Sequence, residues 1–183
     1  MEKYQIVKAE SFHKDFIIKL NSENMPAVGR LDDKSFKRFL EYSDYFKLVK
    51  YDNQFIGFMI GLLPNRPYYS VNYKWFEKKY ESFIYIDRIV ISSKYQNKGF
   101  GTYFYDDLKS CFIDSYDSMT CEVNIIPKND ISMKFHKKYG FKEVGQQRTE
   151  NGKKLVSMQL LSFLKNIKIP MNQNLRQHKE CKQ

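Results

Sequence analysis

The stretch Gln96-Asn97-Lys98-Gly99-Phe100-Gly101-Thr102 is the most informative part of this sequence. It follows the nearly continuous apolar segment Phe83–Ile91, which is typical of a central strand covered on both faces. An apolar stripe with helical spacing begins at Phe100. Glycines at a helix start let the backbone approach a ligand, and the free N–H groups of the first turn attract an anion. The stretch therefore predicts a phosphate-binding loop between a buried strand and a helix.

The glycine spacing excludes two common phosphate-binding motifs. The sequence lacks the Gly-Lys-Ser/Thr end of the Walker loop, and it lacks the third glycine of the dinucleotide-binding fingerprint. Paired glycines at a helix start also occur for structural reasons alone. The loop thus indicates a phosphate-bearing ligand without identifying it.

Hydrophobic periodicity and turn residues predict the elements around this loop. The segments with the pattern of a strand are Tyr4–Lys8, Phe46–Tyr51, Phe55–Leu63, Phe83–Ile91, Met119–Asn124, Phe141–Gln147 and Lys154–Leu160. Helical patterns begin near Ser11, Asp32, Gly99 and Asn129. Glu150-Asn151-Gly152 predicts a tight turn between the last two strands. We therefore expect one mixed α/β (α+β) domain over residues 1–163.

The segment from Pro64 to Ser82 does not fit this alternation of strands and helices. It is rich in aromatic residues and too long for a hairpin loop, and long connections inside compact domains often form lids or binding loops. Tyr69, Asn72 and Trp75 are its candidate substrate-binding residues. A short packed helix over Tyr73–Tyr80 is the alternative interpretation.

Composition and charge limit the class of protein. The 183 residues are 42% hydrophobic and 28% charged, which excludes a disordered or low-complexity chain. The net charge of +10 fits a nucleic-acid partner, a phosphate-rich ligand or a lysine-rich composition alone. Basic residues are frequent in residues 164–183, and we expect that segment to be a solvated basic tail.

Neither a membrane segment nor a metal site is predicted. No stretch reaches the roughly 18 apolar residues of a membrane helix, and Met1–Tyr4 lack the apolar core of a signal peptide, so we expect a cytoplasmic protein. The histidines His13, His136 and His178 lie far apart, and the cysteines form no Cys-x-x-Cys pair.

A series of motifs runs in order along most of the chain. They are Asn72-Tyr73-x-Trp75-Phe76, Tyr85-x-Asp87-Arg88-x-Val90, the loop from Gln96, Cys121-Glu122-Val123-Asn124, Asn129, and Phe135-His136-x-x-x-Gly140-Phe141. Over about residues 4–162 the series resembles the GNAT superfamily of acetyl-CoA-dependent N-acetyltransferases, and within it a bacterial group of predicted acetyltransferases. The resemblance implies the GNAT-like acyl-CoA N-acyltransferase fold, a mostly antiparallel mixed sheet of about seven strands flanked by about four helices.

The resemblance also implies the position of acetyl-CoA, the acetyl donor. The backbone of Ile89, Val90 and Ile91 would face its pantetheine arm. Residues 96–102, namely Gln96, Asn97, Lys98, Gly99, Phe100, Gly101 and Thr102, would hold its pyrophosphate. Asn129 would bind the pantetheine amide or only cap its helix.

Direct transfer from a thioester to an amine needs a base for the incoming amine. Glu122 lies on the polar face of its strand and corresponds to the glutamate that several members of the superfamily use as the base. Asp87, on the central strand, is the rival base. Strict alternation along that strand predicts that Arg88 points to the opposite face, so that Arg88 and Asp87 need not neutralise each other.

The departing thiolate needs a proton, and here the sequence departs from the superfamily pattern. Many members carry a tyrosine five residues before the phenylalanine of Gly-Phe, and this chain has His136 there. An imidazolium can donate a proton near neutral pH, so His136 is the candidate acid, with Tyr139 as a less well-placed substitute.

Three functions remain open from the sequence. An N-acetyltransferase acting on a small-molecule or peptide amine accounts for the ordered motifs. A basic nucleic-acid-binding protein fits them less well, because the aromatics lie inside apolar runs and the charge forms no dense cluster. A coenzyme A sensor without catalysis would keep the same fold. Arg66 and the aromatic segment favour an anionic or aromatic acceptor over a polycation, and both a monomer and a homodimer fit a domain of this size.

Overall fold

The computed structural model describes residues 4–163, so the predicted tail over residues 164–183 lies outside the described residues. Its seven-stranded sheet has the order β1-β2-β3-β4-β5-β7-β6. The strands are β1 (Tyr4–Lys8), β2 (Tyr45–Tyr51), β3 (Gln54–Leu62), β4 (Ile84–Ile91), β5 (Ser118–Ile126), β6 (Lys142–Thr149) and β7 (Lys154–Ser162). All neighbours are antiparallel except β4 and β5. The mixed, mostly antiparallel sheet predicted from the sequence is confirmed.

Five α-helices flank the sheet, one more than the sequence predicts. They are α1 (Lys14–Glu23), α2 (Asp33–Tyr42), α3 (Val71–Glu77), α4 (Phe100–Phe112) and α5 (Asp130–Tyr139). The additional helix α3 lies in the aromatic connection between β3 and β4, where Ser70 caps its start by accepting from the backbone of Tyr73. None of the helices within residues 4–163 has the length and apolar character needed to cross a membrane.

Apolar side chains cover both faces of the sheet and form two cores. Helices α1, α2 and α3 pack on one face through residues such as Ile17, Phe36 and Phe76. Helix α4 packs on the other face through Phe104 and Leu108. The central strands β3 and β4 are buried on both sides, which explains why their sequences lack a clear polar face.

The parallel pair β4 and β5 separates part of the way along the sheet. Three residue pairs join the two strands, and the last of them is Ile86 with Cys121. Both strands continue past this pair, β4 to Ile91 and β5 to Ile126, without further pairing to each other in residues 4–163. The two strands therefore border an open cleft in the middle of the sheet.

A bulge in β4 changes the direction of two charged side chains. Ile60 pairs with Arg88 and Gly61 with Ile86, so Asp87 is an extra residue in the ladder. Strict alternation predicts that Asp87 and Arg88 face opposite sides, and this prediction is wrong. The Nε of Arg88 donates to Oδ2 of Asp87 at 2.6 Å, and the two side chains are 8% and 4% exposed.

Candidate active site

The cleft between β4 and β5 has a volume of about 1060 Å³. Ile89, Val90 and Ile91 form one wall, and Cys121 to Asn124 form the other. The start of α4 and residues of α5 close its remaining sides. The structure thus brings the predicted base, the predicted loop and the predicted proton donor to one cavity.

The loop before α4 has the backbone geometry that its glycines predicted. Gly99 is the N-cap of α4 with φ +88°, a left-handed conformation that favours glycine, and no side chain caps the helix. A Cβ at Gly99 would meet nothing within 4 Å. The first N–H groups of α4 are therefore available to an anion that enters the cleft.

The neighbours of Gly99 tie this loop to the cleft. The side chain of Gln96 donates to the carbonyl oxygen of Ile91 at 2.9 Å and so joins the loop to the end of β4. Of the seven predicted loop residues, Lys98 is the one that does not line the cleft, and its Nζ lies 5.2 Å from the centre of the Tyr95 ring.

Gly101 serves helix packing as well as the cleft. A Cβ at this position would lie 3.1 Å from the ring of Phe135 on α5. The second glycine of the motif therefore lets α5 approach the start of α4 closely, a reason that the sequence pattern does not indicate.

Glu122 lines the cleft on β5 and accepts two hydrogen bonds. The Tyr85 hydroxyl donates to Oε2 at 2.7 Å, and Nδ2 of Asn72 donates to Oε1 at 2.9 Å. Burial raises the pKa of Glu122 to about 7, against the opposing effect of the bond from Tyr85, and the nearby Asp87 raises it further. A carboxyl group with this pKa exchanges protons near neutral pH, as a general base requires.

A chain of amide groups holds Glu122 in place. Gln147 on β6 donates through Nε2 to Oδ1 of Asn72 at 2.8 Å, so that the amide of Asn72 presents its nitrogen to Glu122. Asn72, predicted to bind the acceptor, donates to the candidate base. The sequence marks Tyr85 only as part of a motif, with no role, and gives no reason to single out Gln147, because each acquires its role through a partner on another element.

Both carboxylate oxygens of Asp87, the rival base, accept a hydrogen bond. Arg88 pairs with its Oδ2, and the Tyr68 hydroxyl donates to its Oδ1. Arg88 in turn donates to the side chain of Asn21 at 2.7 Å and to the carbonyl oxygen of Gly29 at 2.9 Å. Asp87 is thus part of a buried network that joins β4 to α1 and to the segment after α1.

His136 is buried at the side of the cleft and is neutral at neutral pH. Its Nδ1 lies 2.7 Å from the backbone oxygen of Ser132, which can only accept, so Nδ1 carries the proton. Its Nε2 then accepts from the Tyr105 hydroxyl at 2.7 Å. Burial lowers the pKa of His136 to about 4. The imidazolium that the sequence analysis proposes as a proton donor is therefore not the form present at pH 7.

The remaining predicted residues lie at three different places. Asn129 lines the cleft and caps α5 by accepting from the backbone of Ser132 at 3.1 Å. Tyr69 is 82% exposed and lines a second, smaller cavity. Trp75 lines neither cavity; it packs on Gly145 of β6, where a Cβ would lie 2.6 Å from its ring.

Residues 4–163 contain no group of three histidine, cysteine, aspartate or glutamate side chains placed to hold a metal ion.

Comparison with solved structures identifies the class of fold. The ribosomal-protein-S18-alanine N-acetyltransferase of Escherichia coli superposes with a TM-score of 0.66 at 12% identity, over 92% of this chain and 99% of that one. Ard1 of Thermoplasma volcanium gives a TM-score of 0.71 at 14% identity, over 89% and 99%. Naa50 of Arabidopsis thaliana, in complex with the bisubstrate analogue CoA-Ac-MVNAL, gives 0.65 at 17% identity, over 88% and 99%. The fold is that of the N-acetyltransferases.

The sequence itself identifies the family. A family model described as an acetyltransferase (GNAT) domain matches residues 19–162. No curated protein matches the sequence significantly. The chain belongs to the GNAT acetyltransferase family and is an enzyme of that class.

Proposed function

We propose that this enzyme transfers an acetyl group from acetyl-CoA directly to the primary amine of a small molecule or peptide. The observation that carries the proposal is Glu122, a carboxyl group with a pKa of about 7 on the wall of the cleft that the phosphate-binding loop borders. A base with this pKa is ionised in part at neutral pH and can take a proton from an ammonium group.

The chemistry of the cleft lining suits the donor molecule. Coenzyme A carries a pyrophosphate, and the uncapped start of α4 supplies N–H groups and the positive end of a helix dipole. The open space at Gly99 leaves room for phosphate oxygens beside the backbone. Ile89, Val90 and Ile91 line the same cleft and are the residues we assign to the pantetheine arm, with Asn129 opposite.

Glu122 is the proposed base, in preference to Asp87. Asp87 is paired with Arg88 and accepts from Tyr68, so taking up a proton would disrupt a buried ion pair. Glu122 has no cation paired with it at hydrogen-bond distance in residues 4–163, and its two partners are a hydroxyl and an amide. Acetyl-CoA supplies an activated thioester, and Glu122 supplies the neutral amine that attacks it.

Tyr105 is the proposed donor of the proton to the departing sulfur. It lines the cleft, and His136 holds its hydroxyl by accepting from it. His136 thereby becomes a positioning residue for Tyr105. An ammonium group loses two protons on its way to the amide: Glu122 takes the first before the attack and passes it to water, and the second leaves the nitrogen as the C–N bond forms and the C–S bond breaks. Tyr105 turns its hydroxyl proton from His136 to the departing sulfur and regains a proton through water, so that one proton in all is released to solvent.

The test is release of coenzyme A thiol from acetyl-CoA in the presence of a panel of primary amines, with mass spectrometry of the products. Thermal denaturation with and without acetyl-CoA provides a separate measure of binding. We expect a rise in melting temperature and an acetylated amine. A rise in melting temperature with no acetylated product on any amine would favour a coenzyme A sensor, and no rise at millimolar acetyl-CoA would contradict the proposal.

A further inference from the structure

A second cavity, of about 190 Å³, adjoins the large cleft. It lies between α2 and the segment that leads into α3, and Arg30, Arg38 and Arg88 contribute to its walls. The other lining residues are five that carry a hydroxyl group, Ser35, Tyr42, Tyr68, Tyr69 and Ser70, and the apolar Phe39 and Pro67. Arg88 lines both the small cavity and the large cleft, and it is the residue that the two linings share.

The small cavity has an excess of positive charge. Asp87 offsets the charge of Arg88, but Arg30 and Arg38 form no ion pair within residues 4–163. No aspartate or glutamate of that range lines the cavity. The nearby Asp32 is the N-cap of α2, where it accepts from the backbone of Ser35 at 2.9 Å.

The side chains of these two arginines are exposed and form no hydrogen bond or ion pair within the described part of the chain, whereas Arg88 is buried among its partners. Guanidinium groups beside hydroxyls recognise carboxylates and phosphates, because a planar fork of donors matches their oxygens. The lining of the cavity is therefore complementary to an anion.

Arg66, which the sequence analysis assigns to acceptor recognition, does not supply this charge. It forms a two-bond pair with Asp44, through Nε at 2.9 Å and through Nη2, and Asp44 also accepts from the backbone of Leu63. Arg66 thus holds the end of β3 against the start of β2. The positive charge of the small cavity comes from Arg30 and Arg38, which the sequence gives no reason to single out.

We propose that the small cavity binds an anionic group of the acceptor, so that the acceptor is a small amine that also carries a carboxylate or a phosphate. This inference rests on the proposed function and specifies its substrate class. A cavity of about 190 Å³ is smaller than the ~300 Å³ of the smallest common ligand pockets. It accommodates one charged group, while the rest of the acceptor, including its amine, extends past Arg88 toward Glu122 in the large cleft.

Pairs of amines that differ only in the anionic group test this assignment. Glucosamine 6-phosphate with glucosamine examines a phosphate, and 6-aminohexanoate with 6-aminohexanamide examines a carboxylate that lies away from the amine. We expect the wild-type enzyme to have a KM at least about tenfold lower for the anionic member of one pair, as a charged hydrogen bond provides. The pair that shows the difference identifies which anion the cavity takes.

Single substitutions test whether the preference for the anionic amine arises in the small cavity. Arg30→Gln and Arg38→Gln should each raise the KM of the anionic amine about tenfold and change that of its neutral partner less than about threefold. Lys37→Gln is the matched control, because it removes a positive charge from an exposed position of α2 that does not line the cavity. An equal effect of Lys37→Gln, or unchanged discrimination in both arginine variants, would overturn the inference.

Calorimetric binding provides a readout that does not depend on turnover. Glucosamine 6-phosphate and 6-aminohexanoate are titrated into wild-type enzyme saturated with coenzyme A, so that the start of α4 is already occupied. We expect one of them to bind, and Arg38→Gln to weaken that binding at least about tenfold. If coenzyme A binds and neither anion does, the inference fails while the proposed function stands. If coenzyme A does not bind, the proposed function fails, and the anion titration still decides the charge of the cavity.

Discussion

The amide nitrogen of Asn72 lies 2.9 Å from Oε1 of Glu122, and this bond connects helix α3 to the strand that borders the cleft. The long aromatic connection therefore serves the candidate base directly. Its apolar residues Tyr73 and Phe76 are fully buried beneath the sheet, which fixes α3 and with it the amide of Asn72. The geometry of the proposed base thus depends on packing at some distance from the cleft.

Removal of the base should lower the rate across the pH range. Because the pKa of Glu122 is about 7, kcat/KM of the wild-type enzyme should rise as the pH increases through 7 and the carboxylate forms. Glu122→Gln should lower kcat by about 10²–10⁴-fold and remove that rise, while the affinity for acetyl-CoA stays the same. Steady-state kinetics from pH 5.5 to 9 (roughly three and a half pH units across the pKa) measure both effects.

The matched comparison for Glu122→Gln is Asp87→Asn. It should reduce the free energy of unfolding by about 3–5 kcal/mol, because it leaves the guanidinium of Arg88 buried without its partner. A larger loss of kcat in the folded fraction of Asp87→Asn than in Glu122→Gln would transfer the role of base to Asp87.

The amide chain should tune the pKa of the base. Asn72 donates to the carboxylate and favours its charged form, so Asn72→Ala should shift the rise in kcat/KM to higher pH by about 0.7 unit, the equivalent of about 1 kcal/mol. Gln147→Ala should shift it in the same direction by less, because it frees the amide of Asn72 to rotate.

Gln146→Ala is the control for the amide chain. Gln146 precedes Gln147 on β6, is exposed and donates to Glu143 instead. An unchanged pH profile in Asn72→Ala, or an equal shift in Gln146→Ala, would contradict a positioning role for the chain.

Gly99 should contribute to acetyl-CoA binding through its missing side chain as well as through its backbone conformation. Gly99 and Gly152 have φ values of +88° and +86°, and a Cβ at either position would meet nothing within 4 Å. Gly99→Ala and Gly152→Ala should therefore destabilise the fold equally, by about 1 kcal/mol. Gly99→Glu should in addition abolish the rise in melting temperature with acetyl-CoA, because it puts a negative charge against the phosphates. Gly152→Glu, in the β6–β7 turn, should retain that rise.

The proton donor should be Tyr105 rather than His136. Tyr105→Phe removes the hydroxyl that donates to His136 and should lower kcat by about 10²-fold or more. His136→Gln retains a polar partner for that hydroxyl and should lower kcat by about tenfold or less. Tyr139, whose hydroxyl donates to Asp106, also lines the cleft, and Tyr139→Phe tests it as the rival. A greater loss in Tyr139→Phe than in Tyr105→Phe would reassign the role.

Two buried groups should give opposite pH dependences of stability. The folded state raises the pKa of Glu122 from 4.5 to about 7, so its contribution to stability is lost as the pH rises through that range. It lowers the pKa of His136 from 6.5 to about 4, so that contribution is lost as the pH falls. Between pH 4.5 and 6.5 the two slopes oppose each other.

Glu122→Gln should expose the slope of His136. The free energy of unfolding of this variant should fall on acidification more steeply than that of the wild type, by about 1.4 kcal/mol per pH unit. Urea denaturation at several pH values measures it, with Glu81→Gln, at an exposed position outside both cavities, as the control. Parallel curves for Glu122→Gln and the wild type would show that the pKa of Glu122 is not raised.

Local sequence signals predicted most of the fold correctly. The strands, the helix starts and the tight turn at Glu150-Asn151-Gly152 depend on periodicity, on capping residues and on residues that adopt positive φ, all within a few positions of one another. The loop at Gly99 belongs to this group, because its conformation depends on one residue that lacks a Cβ. The sequence indicates helix α3 only as an alternative to a binding loop, because the helix is short and its apolar residues also fit a packed loop.

Tertiary structure alone decided how the site residues are used. Three hydrogen bonds of the site join residues that are far apart in the sequence: Asn72 with Glu122 (50 positions), Arg88 with Asn21 (67 positions) and Gln147 with Asn72 (75 positions). No local sequence pattern specifies such partners. The bulge at Asp87 is set by the partner strand and turns Arg88 toward it, against the alternation of the sequence. Burial makes His136 neutral and Glu122 easier to protonate, because the interior disfavours charge. Local sequence patterns specify most of the residues that line the cleft, whereas the packing of distant elements sets their charge, their partners and hence their chemistry.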